Sequence, residues 1–269
     1  MQLRRLAKKI TRPILITLNT IGINPRKLVL LRFFPKYLSH YKIWRNLGGQ
    51  ISHRVPILSD WSEQAGSSSG HYFHQDLIVA SFVFTNKPNR HIDIGSRIDG
   101  FVAHVASFRK IEVLDIRPLE STGHDNISFL QMNLMDAGNV KEQIADSISC
   151  LHAIEHFGLG RYGDPIDPSG HINGFNNLLR MLKPNGVLYI SFPIGLRNEV
   201  HFNAHRVFHP QDIFTWAHNE NKIELVRFDY VDDAGDLHKN LDIHSINPNL
   251  TLGCGIYTFI KRTEFNDKL

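Results

Sequence analysis

The first 59 residues of this 269-residue chain contain no aspartate or glutamate, although they contain twelve lysines and arginines. The remaining residues carry 18 basic and 26 acidic side chains, a net charge of −8, whereas the whole chain has a net charge of +4. A basic segment before an acidic body predicts an anionic partner for the segment, such as a lipid surface, a nucleic acid or an acidic protein. Because the body itself is acidic, we do not expect a nucleic acid to be the substrate.

Cysteine is scarce. The two cysteines, Cys150 and Cys254, lie in apolar, strand-like runs without the spacing of a metal site or a redox pair. We therefore expect two buried thiols in a reducing compartment, and no metal site.

Long apolar runs are also missing, since none approaches the roughly 18 residues that span a bilayer. The N-terminus resembles a signal peptide, with basic "MQLRRLAKK" before apolar "ILITLNTIGI", but Asn19 and Thr20 interrupt the apolar run and no small-residue cleavage site follows. These features predict a cytoplasmic protein. Its first 50 residues either contact the inner face of the membrane peripherally or form a packed helical extension with a solvated basic face.

Proline positions and composition predict the organisation of the chain. Pro13, Pro25 and Pro35 divide the helical, basic pattern of residues 3–47 into short amphipathic helices. The polar, Gly/Ser-rich segment 59–70 is the expected boundary. We predict a basic helical extension at 1–58, a linker and leading helix at 59–89, and a main domain at 90–269.

Strand and helix patterns alternate through the main domain. The predicted strands are 90–95, 110–116, 127–133, 146–152, 187–193, 222–231 and 254–262, and the predicted helices are 74–84, 100–108, 172–183 and 209–220. Helical crossovers between strands predict an α/β fold, namely a doubly wound, mostly parallel seven-stranded sheet with helices on both faces. The short loop before the last strand predicts an antiparallel hairpin at the end of this sheet.

The motif His152-x-x-Glu155-His156 has two interpretations. On a helix it is typical of a zinc peptidase, with two imidazoles one turn apart. After a strand, the same residues line the ligand crevice of a parallel α/β sheet. The alternating residues 147–151 and the glycine-rich stretch from Gly158 favour the strand end, and no convincing downstream helix offers a third zinc ligand.

Polar residues follow the other predicted strands too. Gly95 allows the backbone to approach a ligand closely. Asp115, about 20 residues later, can accept two hydrogen bonds from ribose hydroxyls. The amide of Asn133 can contact an adenine edge. Together with His152, these strand ends predict a crevice for a nucleoside.

Residues 90–262 resemble the class I S-adenosylmethionine-dependent methyltransferases. The resemblance rests on "HIDIGSR", "EVLDI", "FLQMNLMD", "DSISCLHAIEHFGLGRYGD" and, most specifically, "LLRMLKPNGVLYISFP". The stretches "GLGRYGDPIDPSGH" and "FNAHRVF" are similar to a methyltransferase-like family of unknown function found in bacteria and nematodes.

This resemblance implies a Rossmann-like methyltransferase fold and S-adenosyl-L-methionine as the cofactor. The implied cofactor contacts are Asp93, Gly95 and Ser96 at the methionine part, Asp115 at the ribose, Asn133 and Leu134 at the adenine, and His152 beside them. The sequence departs from the family's glycine-rich loop, since Arg97 and Asp99 stand where further glycines are expected. Arg97 either crowds the ligand or pairs with its carboxylate.

Methyl transfer to a hydroxyl requires an aligned acceptor and a base. The candidates for catalysis are His156, Glu155, His205 and Asp164. His156 ranks first because an ordinary imidazole is largely neutral at pH 7, and His205 ranks second. The candidates for acceptor binding are Arg161, His171, Asn203 and Arg206. The alternative for the turn before the helix at 172 is purely structural, with Asp167 or Ser169 capping that helix rather than the turn serving the site.

These observations predict an S-adenosylmethionine-dependent methyltransferase. The expected acceptor is a small or saccharide-like molecule, used in the synthesis of surface glycans near a membrane. The alternative from another functional class is a non-catalytic protein that keeps the fold as an interaction module, which the altered glycine loop favours.

Overall fold

The computed structural model describes residues 24–218, 223–246 and 249–262, together with residues 18, 20 and 22. The chain divides into two units, residues 1–67 and 68–269, and the division falls inside the polar segment 59–70. The signal-like N-terminus and the predicted break at Pro13 lie outside the described residues.

The described part of the first unit is helical. A 3₁₀ helix covers Pro25–Phe33, α1 covers Phe34–Asn46, and a short 3₁₀ turn covers Asp60–Ser62. Pro35 lies in the first turn of α1, where the missing N–H group of proline costs no helical hydrogen bond. None of the residues of α1 is buried.

The main sheet belongs to the second unit. Among the described residues its strands are β1 (His91–Ile94), β2 (Ile111–Asp115), β3 (Ile127–Gln131), β4 (Ala145–Leu151), β5 (Leu182–Ile194), β8 (Ile223–Val231), β9 (Leu237–His238) and β10 (Gly253–Lys261). Their order is β3-β2-β1-β4-β5-β10-β8-β9. The first five run parallel, and β10 runs antiparallel between β5 and β8. The predicted doubly wound, mostly parallel sheet is confirmed.

The predicted antiparallel pairing of the last two predicted strands is confirmed, since β10 pairs antiparallel with β8, and β10 also pairs with β5. The number of strands differs from the prediction, because the short strand β9 pairs with Tyr230 and Val231 at the edge. The described residues therefore contribute eight strands rather than seven to this sheet. A separate hairpin forms from β6 (Glu199–His201) and β7 (His205–Val207).

Helices cover both faces of the sheet. The helices of this unit are α2 (His71–Asn86), α3 (Ala103–Ala106), which continues an irregular turn at Ile98–Val102, and α4 (Gly170–Met181). Short 3₁₀ turns lie at Ala137–Asn139, Ile154–His156, Asp212–Thr215 and Ile243–Ser245. Apolar residues of α2 and α3 form one core with alternate residues of the strands, such as Val113 and Tyr189. Apolar residues of α4 form a second core with the strand residues that face the other side of the sheet, such as Leu188 and Ile190. The strands contribute to both cores because successive strand residues point to opposite sides.

The predicted helix at 209–220 is wrong within the described residues, where only a 3₁₀ turn at Asp212–Thr215 forms. The side chain of Asn176 on α4 explains the difference. It donates to the carbonyl oxygen of Trp216 at 2.7 Å and accepts from the N–H of His218 at 2.9 Å. These two backbone groups are therefore unavailable for helical hydrogen bonds.

Both cysteines are free and buried. Cys150 belongs to the core on the α4 side and Cys254 to the core on the α2 side. Within the described stretches, every helix is too short or too polar to cross a bilayer.

Candidate functional site

The carboxyl ends of the parallel strands open into one cavity of about 530 Å³, which we name the rim cavity. Seven of the residues predicted for the site line it: Gly95, Asp115, Asn133, Leu134, His152, His156 and Asp164. They follow four strands that are adjacent in the sheet, which is where ligands bind in open α/β folds.

Gly95 begins the turn after β1 with a φ of +70°. A Cβ atom on this residue would lie 3.0 Å from the Cβ of Ala153, which follows β4. A side chain here would therefore be strained and would narrow the rim cavity.

Asp115, the last residue of β2, is held by Arg117. The Arg117 Nε and Nη2 atoms donate to the two carboxylate oxygens at 3.0 and 2.5 Å, and the Arg117 N–H donates at 2.8 Å. The Arg117 guanidinium also lies 4.5 Å from the ring centre of Tyr162 on the opposite side of the rim cavity. The hydrogen bonds to Asp115 raise the pKa of Arg117 above its ordinary value.

The loop after β3 supplies Asn133 and Leu134. The Asn133 Oδ1 atom accepts from the N–H of Met135 at 3.0 Å, so the side-chain NH₂ group is the end of the amide left to donate to a ligand. Leu134 is buried, and its carbonyl oxygen accepts from the Asn177 side chain of α4 at 2.7 Å. Apolar side chains of Ile94, Met132 and Phe157 complete this part of the wall.

Asp93 and Ser96 lie outside the lining of the rim cavity. Asp93 is completely buried and accepts from the N–H and Oγ of Ser96 at 3.0 and 2.7 Å and from the Ser149 Oγ at 2.5 Å. Burial raises the pKa of Asp93 to about 7. These bonds fix the turn that presents Gly95, so both residues shape the cavity from behind.

A second cavity of about 980 Å³ adjoins the first, and we name it the histidine cavity because His71, His152, His156 and His205 line it. It shares five lining residues with the rim cavity: Gly95, Arg117, His152, His156 and Tyr162. Glu155 and Arg161 also line it. The two cavities together offer adjoining spaces for two ligands.

His156 is held in a defined tautomer. Its Nδ1 atom lies 2.7 Å from the carbonyl oxygen of Ala204, and a carbonyl can only accept, so Nδ1 carries the proton in the neutral ring and Nε2 carries the lone pair. Burial lowers the pKa of His156, and Arg161 lowers it further, against the opposing effect of Glu155. His156 is therefore neutral near pH 7, as a general base requires.

Glu155 is buried between the two histidines of its motif. Its Oε1 atom accepts from His152 Nδ1 at 2.8 Å and lies 3.6 Å from His156 Nε2. Burial raises the pKa of Glu155, but the combined effects of His152 and His156 and a backbone hydrogen bond outweigh it, and the net shift is downward. Glu155 is thus an ionised group that orients His152.

The motif lies on a strand end and not on a helix. His152 follows β4 with a φ of +50°, and Ile154–His156 form a single 3₁₀ turn. The two imidazoles therefore lack the helical register that the zinc-peptidase interpretation needs.

His205 and Arg161 lie at the histidine cavity, while Asn203 is exposed and lines neither cavity. Burial and the nearby His201 lower the pKa of His205, so its ring is neutral near pH 7. The Arg161 Nη1 atom donates to the carbonyl oxygen of Ala204 at 2.8 Å, and its guanidinium lies 5.1 Å from the Tyr162 ring centre.

Asp164 organises the loop after the motif. Its carboxylate accepts from the N–H groups of Gly158, Gly160 and Tyr162 at 2.8, 3.1 and 3.1 Å. Although Asp164 lines the rim cavity, its carboxylate oxygens accept hydrogen bonds from the loop backbone and so fix the conformation of this loop.

Arg206 is buried and holds the same loop from the other side. It donates to the carbonyl oxygens of Phe157 at 2.6 Å, Glu155 and Pro168 at 3.3 Å, and Asp167 at 3.4 Å. With its guanidinium bonded to four carbonyl oxygens, Arg206 positions the loop. Arg206 lines neither cavity.

His171 lies in the first turn of α4, where its ring packs 5.1 Å from Phe208 and 5.2 Å from Trp216. Burial lowers its pKa to about 4. It lines neither cavity. The turn before α4 is held by Asp167, which accepts from the Ser169 N–H at 2.8 Å, whereas the Ser169 side chain makes no cap bond.

Sequence reasoning missed four polar lining residues: His71, Tyr72, Arg117 and Tyr162. Arg117 had a signal, since it lies two residues after the strand-end aspartate. His71 and Tyr72 had none, because only the packing of α2 against the sheet brings them to the carboxyl end of β4.

Comparisons with known proteins give a family of unknown function and a set of distant structures. Residues 109–217 match the family described as "Caenorhabditis protein of unknown function, DUF268". No curated protein matches the chain.

Similar solved structures include the N-methyltransferase NodS of Bradyrhizobium japonicum in complex with S-adenosyl-L-homocysteine, with 12% identity over 72% of this chain and 89% of that chain and a TM-score of 0.47. A putative sarcosine dimethylglycine methyltransferase from Galdieria sulphuraria has 15% identity over 70% and 86% of the two chains and a TM-score of 0.48. The 1,6-didemethyltoxoflavin-N1-methyltransferase of Burkholderia thailandensis has 12% identity over 88% and 90% and a TM-score of 0.46.

Proposed function

We propose that this chain is an S-adenosylmethionine-dependent methyltransferase that acts on a small-molecule acceptor. The observation that carries the proposal is the rim cavity, where Gly95, Asp115 and Asn133 meet at the ends of consecutive strands of a doubly wound sheet. The adjoining histidine cavity provides a separate space for an acceptor, with His156 on the boundary between the two.

The residues of the rim cavity suit the cofactor. Gly95 leaves room for the methionine part, Asp115 offers acceptors to ribose hydroxyls, and Asn133 offers its NH₂ group to the adenine. Arg97 does not crowd this space, because it pairs with Asp99 at the surface and lines the histidine cavity but not the rim cavity.

When bound, the cofactor supplies an electrophilic methyl group on a sulfonium. The chain must then align the acceptor with that group and remove a proton. Alignment by the walls of the two cavities contributes several kcal/mol, up to roughly 7–11 in ideal cases. The lone pair on His156 Nε2 takes the proton of a hydroxyl acceptor, for a contribution of about 10²–10⁴-fold. His205 is the second base available in the same cavity.

A polar, saccharide-like acceptor used near a membrane is the finer form of this proposal. The histidine cavity is lined by imidazoles, Glu155 and Arg161, which suit hydroxyl groups. In the first unit, Leu28, Leu31, Ile43 and Trp44 are more than half exposed among basic residues. Exposed apolar side chains without neighbouring acids suit contact with an anionic lipid surface.

Isothermal titration of the full-length protein with S-adenosyl-L-homocysteine tests the proposal. We expect saturable heat with one site per chain. No heat at millimolar ligand would reject the enzyme and would leave the non-catalytic interaction module as the function to pursue. Mass spectrometry of small molecules that co-purify with the protein then identifies the acceptor class.

A further inference from the structure

Three side chains from distant parts of the sequence meet beside the histidine cavity, which two of them line. His71 is the first residue of α2, His152 follows β4, and Cys254 is the second residue of β10. One nitrogen of each imidazole and the Cys254 Sγ atom all lie within 4.8 Å of one another. No sequence spacing indicates this cluster, because only the fold assembles it.

His152 has a buried nitrogen with no partner. Its side chain is 7% exposed, and its Nε2 atom makes no hydrogen bond with any described residue. The polar groups next to it are the Cys254 thiol and the His71 ring. A buried, unsatisfied ring nitrogen is costly, so a group that binds there is expected.

The hydrogen bond behind the His152 imidazole is one that metal-bound histidines commonly make. Glu155 Oε1 accepts from His152 Nδ1 at 2.8 Å, so Nδ1 carries a proton and Nε2 is the nitrogen that can ligate a metal, with release of any proton that it holds. Metal-bound histidines commonly donate their second N–H to a carboxylate or a backbone carbonyl in this way.

The structure assigns a zinc site to His71, His152 and Cys254. Two imidazole nitrogens and one thiolate are a donor set that Zn²⁺ favours, and three protein ligands leave a fourth position for water or an acceptor atom. Because His71 and His152 line the histidine cavity, that position opens toward the acceptor space. The site uses one histidine of the His-x-x-Glu-His motif but not His156, whose Nδ1 is bonded to Ala204.

Zinc binding requires the His71 ring to rotate. Bonds of about 2.0–2.3 Å place tetrahedral ligand atoms roughly 3.3–3.8 Å apart, somewhat closer than the 4.8 Å within which the three atoms lie here. The rings of His71 and His152 are also nearly parallel, at 7° with 5.3 Å between their centres. His71 is only partly buried, so its ring turns toward the ion while His152 stays fixed by Glu155.

Cobalt substitution of the untagged, full-length protein tests the site without reference to methyl transfer. After treatment with a chelator, we expect one equivalent of Co²⁺ to give the visible absorption of a tetrahedral centre and a sulfur-to-cobalt charge-transfer band in the near ultraviolet. Zinc then displaces the cobalt at one ion per chain. A cobalt spectrum without the sulfur band, or no binding at all, overturns the proposal.

Variants separate ligation from folding. C254S abolishes the sulfur band and weakens zinc binding at least 100-fold, whereas C150S, the same change at the other buried cysteine, keeps both. E155Q weakens binding about 10–100-fold, because a neutral amide oxygen is a weaker acceptor for the His152 Nδ1–H group than a carboxylate. H71N, at a half-buried helix start, provides a second ligand variant in case C254S does not fold, as judged by circular dichroism. Wild-type zinc affinity in both ligand variants would refute the assignment.

The outcome is independent of the cofactor. A protein that binds S-adenosyl-L-homocysteine but not zinc loses only this inference, and one that binds zinc but not the nucleoside loses only the proposed methyl transfer.

Discussion

Arg117 holds both carboxylate oxygens of Asp115 at the rim cavity, with hydrogen bonds of 3.0 and 2.5 Å. Arg97 holds Asp99 in the same way at 3.1 and 2.8 Å, and in both pairs one residue separates the arginine from the aspartate. The first pair lines the rim cavity and its carboxylate is 11% exposed, whereas the carboxylate of the second is 75% exposed. The chain therefore contains its own control for the ribose assignment.

Replacing Asp115 with alanine is expected to weaken S-adenosyl-L-homocysteine binding by about 1–3 kcal/mol, since charge-assisted bonds to the ribose are lost. D99A removes an equivalent arginine partner outside the rim cavity and is expected to leave the affinity unchanged. Calorimetric titration of both variants measures the difference. Equal affinities for D115A and the wild type would refute the role of Asp115 at the ribose.

G95A tests the turn after β1, and G123A is its matched control. Both glycines have a positive φ, of +70° and +66°, so alanine costs about 1–2 kcal/mol of backbone strain at either position. A Cβ at Gly95 also meets Ala153 at 3.0 Å, while one at Gly123 meets nothing within 4 Å. We expect G95A to lower the free energy of unfolding in urea more than G123A, and only G95A to lose nucleoside affinity. Similar losses in both would mean that backbone strain alone matters at Gly95.

The parts of the molecule that were predictable from sequence are those encoded locally. The parallel strands were predictable because each is a short apolar run between crossover segments, and Gly95, Asp115 and Asn133 because they follow these runs directly. Their convergence on one cavity then follows from parallel pairing alone.

The parts that were not predictable depend on contacts between distant residues. Arg206 resembles an anion-binding residue in the sequence, but in the fold it binds four carbonyl oxygens of the loop around Asp164. Likewise, Cys254 reads as an ordinary buried thiol until α2 and the end of β4 place two imidazoles beside it. The loss of the helix at 209–220 also follows from a side chain on another element, Asn176.

Arg206 and Arg161 are expected to respond differently to replacement by alanine. R206A leaves buried carbonyl oxygens without donors, which is expected to cost about 2–4 kcal/mol of unfolding free energy. It should also speed hydrogen exchange in residues 157–168. R161A removes an exposed side chain with one carbonyl partner and is expected to change stability by no more than about 0.5 kcal/mol. A stable R206A protein with unchanged exchange would contradict the structural role given to Arg206.

Deleting residues 1–50 tests membrane contact by the first unit. The second unit contains the sheet and both cores, so we expect it to remain folded. Sedimentation with anionic liposomes at low salt is expected to fall, because the deletion removes eleven of the twelve basic residues that precede Asp60. Neutral liposomes serve as the control. Equal sedimentation of the full-length and truncated proteins with anionic liposomes would count against membrane contact by the first unit.

Two neighbours on β1 are expected to give opposite dependences of stability on pH. His91 is buried between Ser147, at 2.7 Å, and Ser149, at 3.2 Å, and burial lowers its pKa to about 3. Between pH 6.5 and 3 the unfolded chain therefore binds a proton at His91 that the folded chain does not, so stability falls as the pH falls. Burial raises the pKa of Asp93 to about 7, so between pH 7 and 4 the folded chain binds the extra proton and stability rises as the pH falls.

In the wild type these two contributions offset each other between pH 4.5 and 6.5, and single variants expose them. Relative to the wild type, D93N leaves His91 unopposed, so its unfolding free energy is expected to fall with decreasing pH by up to about 1.4 kcal/mol per unit. H91Q leaves Asp93 unopposed, and its unfolding free energy is expected to rise over the same interval. Urea unfolding at four pH values measures both slopes, and comparison with the wild type cancels the groups that titrate elsewhere. Parallel pH profiles for the three proteins would show that neither buried group changes its proton affinity on folding.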